Sequence, residues 1–123
     1  MKEEDIHIQI CEYIRFRYPN AIFTSESSGI RVTMYQAKKL KKMRSCAGLP
    51  DILILEPRKN RYGLFLEVKK DDVVIYKKDG DLVSNEHIEE QEEIIHRLNQ
   101  RGYLASFVIG FEDAKSLIDY YFS

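Results

Sequence analysis

The stretch Gly48–Lys70 reads GLPDILILEPRKNRYGLFLEVKK. Two short apolar runs, DILIL at 51–55 and GLFLEV at 63–68, flank the polar segment EPRKNRY. Apolar runs of that length, bounded by turn formers, read as strands. The spacing therefore predicts a β-hairpin with its turn near Lys59. Side chains alternate along a strand. Phe65, Glu67 and Lys69 share one face of the second strand, and Leu64, Leu66 and Val68 take the other. A turn centred near Lys59 sets Asp51 directly opposite Glu67, where facing Cβ atoms lie about 4.5–5.5 Å apart.

Two carboxylates that close repel each other unless a proton or a cation sits between them. A hard divalent cation such as Mg²⁺ suits the pair: it takes oxygen ligands, keeps several waters and is held by one or two carboxylates plus a substrate phosphate. Lys69, on the same face, would add an ammonium beside it for a water or a phosphate oxygen. Such parts match phosphodiester hydrolysis, where a water must reach an anionic phosphorus and negative charge builds in the transition state. The same residues would also serve as a salt-bridge cluster at a sheet edge, and spacing alone does not separate the two. Asp, Glu and Lys are poor strand formers, so their place at the ends of two strongly apolar strands favours a site.

Outward from the hairpin, residues 3–18 read as an amphipathic helix, with Ile6, Ile10 and Ile14 recurring every four residues and Pro19 stopping it. AIFT at 21–24 reads as a strand, and IRVT at 30–33 either continues it or starts another. Residues 34–44 read as a short basic helix. DDVVIYKKDGDLV reads as an excursion around Asp79-Gly80. Residues 85–101 read as a helix with Ser84 or Asn85 as N-cap and Gly102 as terminator. YLASFVI is a strand, and FEDAKSLIDYYF closes the chain as a helix. A hairpin plus a strand–helix–strand crossover makes a mixed sheet in an α/β fold, with helices covering both faces. No repeat or linker divides the 123 residues, so one domain over 1–123 is expected.

The net charge of −1 does not announce a nucleic-acid binder, but its distribution is uneven. Arg31, Lys38, Lys39, Lys41, Lys42 and Arg44 fall in a stretch without an acid. Asp79, Asp81, Glu86, Glu89, Glu90, Glu92 and Glu93 fall in one without a lysine or arginine. A polyanion feels the local potential, so the first stretch is a candidate DNA-backbone surface; two ordinary solvated faces would look the same. No apolar run approaches the about 20 residues of a membrane span, and MKEED lacks the apolar core of a signal peptide. Cys11 and Cys46 form no spaced motif. A cytoplasmic chain with reduced thiols, no membrane association and no organic cofactor is expected.

Two polar residues fall on apolar stripes. Gln91 lies in line with Ile88, Ile95 and Leu98, and Glu3 lies on the inward face of the first helix with Ile6 and Ile10. Each is open to two readings: a satisfied buried amide or a site residue for Gln91, and a dipole-favoured N-terminal acid or a site residue for Glu3. His7, His87 and His96 show no ligand spacing, and His87 reads as an exposed helix histidine one turn from Gln91.

GLPD, then Glu67-Val68-Lys69, then HIEEQ and a helix ending in QRGY resembles the PD-(D/E)-x-K nuclease superfamily, and within it the VRR-NUC domain (virus-type replication-repair nuclease) in its compact, stand-alone phage form. RFRYP, the Ser-Gly-x-Arg at Ser28–Arg31 and the closing GFEDAKSLIDYYF extend the likeness over nearly the whole chain. The resemblance implies a restriction-endonuclease-like core in α-β-β-β-α-β order and a Mg²⁺- or Mn²⁺-dependent deoxyribonuclease. It implies Asp51, Glu67 and the Val68 carbonyl as metal ligands, Lys69 as the residue that positions the attacking water, and Glu3 and Gln91 as accessory site residues. It further implies a homodimer acting on branched DNA, four-way junctions included, in phage-type replication, recombination or repair. The rival reading is a catalytically silent DNA-binding or regulatory module on the same fold, which would not cut plasmid in Mn²⁺.

Overall fold

The computed structural model describes residues 1–26 and 31–123. The Ser-Gly-x-Arg motif, Arg31 apart, and the start of the IRVT segment lie outside the described residues. The elements run α1 (Glu3–Arg17), β1 (Phe23–Ser25), α2 (Met34–Lys42), β2 (Ile52–Ile54), β3 (Leu64–Lys69), α3 (Glu86–Gln100), β4 (Leu104–Ile109) and α4 (Gly110–Phe122). The sheet order is β1-β2-β3-β4, with the first two pairings antiparallel and β3–β4 parallel. The expected mixed α/β sheet is thus present. Local signals set the helix ends: α1 stops before Pro19, the Asn85 side chain caps α3 at the Ile88 N–H, and Gly102 follows α3 with a positive φ of 95° that an L side chain rarely adopts.

Alternation along β3 builds two cores. Leu64, Leu66 and Val68 face α1 and α4, against Ile6, Ile10, Ile14, Ala114 and Ile118. Phe65 faces the other way, against Ile88 and Ile95 of α3. The excursion at 72–83 folds over this second core, with Ile75 only 1% exposed. Asp119 ties α1 to α4 by accepting from the hydroxyls of both Tyr13 and Tyr18. No described helix is long and apolar enough to cross a membrane.

The hairpin register carries one irregularity. Its two-residue loop is Lys59-Asn60, both at positive φ (51° and 60°), the pairing of signs a tight hairpin turn needs. Arg58 faces Arg61 across it, whereas Ile54 faces Leu64. Residues 55–57 therefore stand opposite only residues 62–63, a bulge in the first strand. Tyr121, fully buried near the end of α4, spans that bulge. Its hydroxyl donates to the Glu56 carbonyl at 2.5 Å and accepts from the Arg58 N–H at 3.2 Å. The Arg58 N–H also donates to the Arg61 carbonyl at 3.1 Å, so Tyr121→Phe strands the Glu56 carbonyl alone and costs about 1–3 kcal/mol of stability. A guanidinium titration with the midpoint unmoved would show that the bulge holds without Tyr121.

Candidate metal and phosphodiester site

The register extends one step past the β2 ladder. Ile52 pairs with Leu66, so Asp51 stands opposite Glu67, as the hairpin reading expects. β2 has ended at this point, and the Val68 N–H that it would have met donates instead to Asp51 Oδ2 at 2.8 Å. The Val68 side chain is buried in the α1–α4 core. In a strand the N–H and C=O of one residue lie on the same side, so the Val68 carbonyl faces the Asp51 side too.

Glu67 and Lys69 are 5% and 8% exposed, the buried charged residues among the described ones. Burial pushes the Glu67 carboxyl far above the usual carboxylate range. Its hydrogen bond to Asp51 and the Asp51 charge push it further, Lys69 opposes the rise, and Glu3 adds to it. With Glu67 protonated, its O–H donates to the Asp51 carboxylate, so a proton takes the place that a cation would hold between two facing acids. The ion pairs among the described residues are Arg44–Glu26, Arg58–Glu56 and Lys115–Asp119. Lys69 is in none of them. A salt-bridge cluster at the hairpin mouth is not what forms; a buried ammonium stands within the field of the carboxyl pair without closing on it. Such an arrangement costs stability and is characteristic of functional sites.

The pair opens into a cavity of about 840 Å³. Glu3, Asp51, Glu67, Lys69 and Gln91 all line it, together with the 47–50 loop and Glu86, His87, Glu89, Glu90, Glu93 and Ile94. Glu3 arrives from the first turn of α1 and Gln91 from the second turn of α3, so helices on opposite faces of the sheet converge at the C-terminal end of β3. Gln91 Nε2 lies 3.1 Å from His87 Nε2, while Gln91 Oε1 is buried with no hydrogen-bond partner among the described residues. His87 is exposed, as its sequence position suggested, yet it touches the amide that points into the site. The spacing of one helical turn between the two was the available signal. The basic stretch lies elsewhere: none of Arg31, Lys38, Lys39, Lys41, Lys42 and Arg44 lines the cavity.

The donor set fits a hard cation with a small protein share. The described residues contain no group of three or more His, Cys, Asp and Glu side chains disposed to hold a metal. Two facing carboxylates with an orphaned amide carbonyl nearby suit an ion that keeps most of its waters, as Mg²⁺ does. Six carboxylates and the protonated Glu67 line the cavity against the single ammonium of Lys69, which draws in cations and resists phosphate until charge is neutralised.

A solved structure described as "VRR_NUC domain protein" matches 98% of this chain and 88% of its own, with a TM-score of 0.67 and 23% sequence identity. The chain has the VRR_NUC fold. No family model matches the chain, and no curated protein matches it in sequence. The VRR_NUC fold is therefore shared at the level of backbone architecture while most side chains differ, and the chemistry has to be argued from the residues at the end of β3.

The raised Glu67 carboxyl has a consequence for stability. The folded chain holds a proton that the unfolded chain releases above the ordinary glutamate range, about pH 4.3. Where the unfolded state binds fewer protons, stability falls as pH rises. The metal-free protein should lose stability from that pH up to the raised value and level off beyond it. Glu67→Gln removes this dependence and stabilises the metal-free protein at neutral pH. Denaturant melts in chelator from about pH 5 to 8 check it, and an equal slope in both proteins would mean that Glu67 is ionised there.

Proposed function

We propose that this chain is a Mg²⁺- or Mn²⁺-dependent DNA nuclease, one VRR-NUC-type domain over residues 1–123, that hydrolyses phosphodiester bonds as an endonuclease. The observation that carries this reading is the buried Asp51–Glu67 carboxyl pair with an unpaired, buried Lys69 beside it in one cavity. The VRR_NUC fold supports it.

Asp51, Glu67 and the Val68 carbonyl would hold the ion. When bound, it would supply a more acidic water and a Lewis acid for the phosphate oxygens. The chain's own residues do the rest. The Val68 N–H holds Asp51 in the orientation that faces Glu67. Glu67 holds the proton shared with Asp51, which an ion held by both carboxyls would have to displace, so binding would be stronger at higher pH. Lys69 orients the attacking water and offsets the charge that develops on the phosphate. Gln91, its amide set by His87, offers a carbonyl to a water in the cavity, and Glu3 adds negative charge at the rim.

Branched DNA, four-way junctions included, is the preferred substrate in this reading, and a homodimer supplies two sites related by a two-fold axis. Tyr121 is spent on the protein's own core, which leaves two candidate contact surfaces for a second copy, Tyr120 on α4 and Val74 with Tyr76 on the 72–83 excursion, all more than half exposed. Light scattering with DNA present, reporting one chain per particle, would remove the dimer. The nuclease reading itself is tested by nicking of supercoiled plasmid with Mg²⁺, with Mn²⁺ and with chelator. Cutting is expected only with metal. Metal-independent cutting, or none under any condition, would sink the reading, and binding without cutting would favour a silent DNA-binding module.

A further inference from the structure

The helix α2 buries none of its residues. It is held locally instead: Thr33 accepts from the Gln36 N–H, and the Gln36 side chain accepts from the Thr33 N–H, a closed capping box. At 100° per residue, Met34, Tyr35, Lys38, Lys39 and Lys42 share the outward arc, while Leu40 turns inward and is half-buried. Tyr35 is 71% exposed. Lys39 Nζ lies over its ring at 5.4 Å from the centroid. One face of the ring meets an ammonium, and the ring otherwise stands in solvent among lysines with no acid on the helix.

We propose that this outward face of α2 binds an unpaired DNA strand, with a base stacked on Tyr35 and the flanking phosphates on Lys38, Lys39 and Lys42. The inference rests on the DNA reading above and deepens it by naming the state of the strand. Lysines alone would suit a duplex and an unpaired strand equally, since both present phosphates. The exposed ring decides between them. In a duplex the faces of the bases are covered by their neighbours, whereas an unpaired strand offers them to an aromatic side chain, and such stacking is worth about 1–3 kcal/mol per base. Charge complementarity and stacking thus select a strand with melted or single-stranded nucleotides. Tyr35, Lys38, Lys39 and Lys42 do not line the acidic cavity at the end of β3, so the helix would hold one part of a branched substrate while the cleavage site takes another.

The test is equilibrium binding by fluorescence anisotropy, in chelator so that cleavage is silent, of a labelled mixed-sequence single strand and of the matching blunt duplex. Tyr35→Ala should weaken single-strand binding by about 5- to 100-fold, while Tyr35→Phe stays within about twofold. Duplex affinity should change little with either. Replacing Lys38, Lys39, Lys41 and Lys42 by Ala should weaken both DNAs and flatten the plot of log K against log salt, by about 0.9 for each duplex phosphate that a lysine no longer neutralises. Because α2 buries nothing, these variants should keep the parent melting temperature. If Tyr35→Ala leaves single-strand binding unchanged, or weakens both DNAs equally, the stacking proposal is wrong; a lysine variant that still weakens both would keep the DNA reading in place. Unchanged binding in every variant overturns the proposal and places the DNA on another surface.

Discussion

Asp51→Asn should abolish metal-dependent cleavage while the purified protein folds and melts, without metal, at the parent temperature or above. The two halves of this result have one cause. Asparagine keeps the shape of Asp51, and its amide oxygen can still accept from the Val68 N–H. Its amide N–H can donate to Glu67, replacing the proton that the pair now shares. The cost of holding a partly buried charge at position 51 is gone, so the fold loses nothing. A neutral amide, however, holds a divalent cation poorly. Outer partners of metal ligands already cost about 10–100-fold in affinity or activity when removed, and a direct ligand should cost more. Plasmid nicking in Mn²⁺, with calorimetric Mn²⁺ titration beside it, reads both. Full activity in the purified variant would remove Asp51 from the site.

Lys69→Ala should separate rate from metal binding. Lys69 lies beside the carboxyl pair, buried and in no ion pair among the described residues. Its loss leaves Asp51, Glu67 and the Val68 carbonyl in place, so Mn²⁺ should still bind, and more tightly if anything because one positive charge is gone. The rate should fall by about 10²- to 10³-fold, the usual effect of removing one donor aimed at transition-state charge. Stability of the metal-free protein should hold, because a buried ammonium without a partner costs free energy that alanine does not. A melting temperature lower by many degrees, with metal binding abolished, would mean that Lys69 is a structural ion-pair partner after all.

Much of this arrangement was legible from local pattern. The Ile6, Ile10, Ile14 stripe and Pro19 bounded α1, the Asn85 cap and Gly102 bounded α3, and the alternation in GLFLEVK assigned Leu64, Leu66 and Val68 to one core and Phe65, Glu67 and Lys69 to the opposite face. Polar residues breaking an apolar stripe, Gln91 and Glu3, were open to a site role or an ordinary one on pattern alone, and both line the cavity. Less legible were the contributions of the 47–50 loop, of Glu86, Glu90 and Glu93, and of His87 through Gln91. Those depend on where the first turns of α3 land over β3, and a helix's own periodicity does not encode its placement on a sheet.

The register of the site residues shows where sequence pattern stops and tertiary structure takes over. The apolar runs and the polar EPRKNRY segment determined by themselves that a hairpin forms around Lys59 and that acids stand at its mouth. They do not determine the pairing. The actual loop is Lys59-Asn60, and an unbroken ladder running back from Arg58 and Arg61 would set Asp51 opposite Val68, one residue out of step with Glu67. A one-residue slip turns a side chain to the other face. The extra residue in the bulge at 55–57 restores the pairing, and the buried hydroxyl of Tyr121, from the far end of the chain, satisfies the Glu56 carbonyl inside it. A bulge leaves backbone groups that the ladder cannot pair, and in a packed interior they must find a partner elsewhere. That partner arrives only when α4 docks, so the packing of the whole chain decides that Asp51 and Glu67 meet.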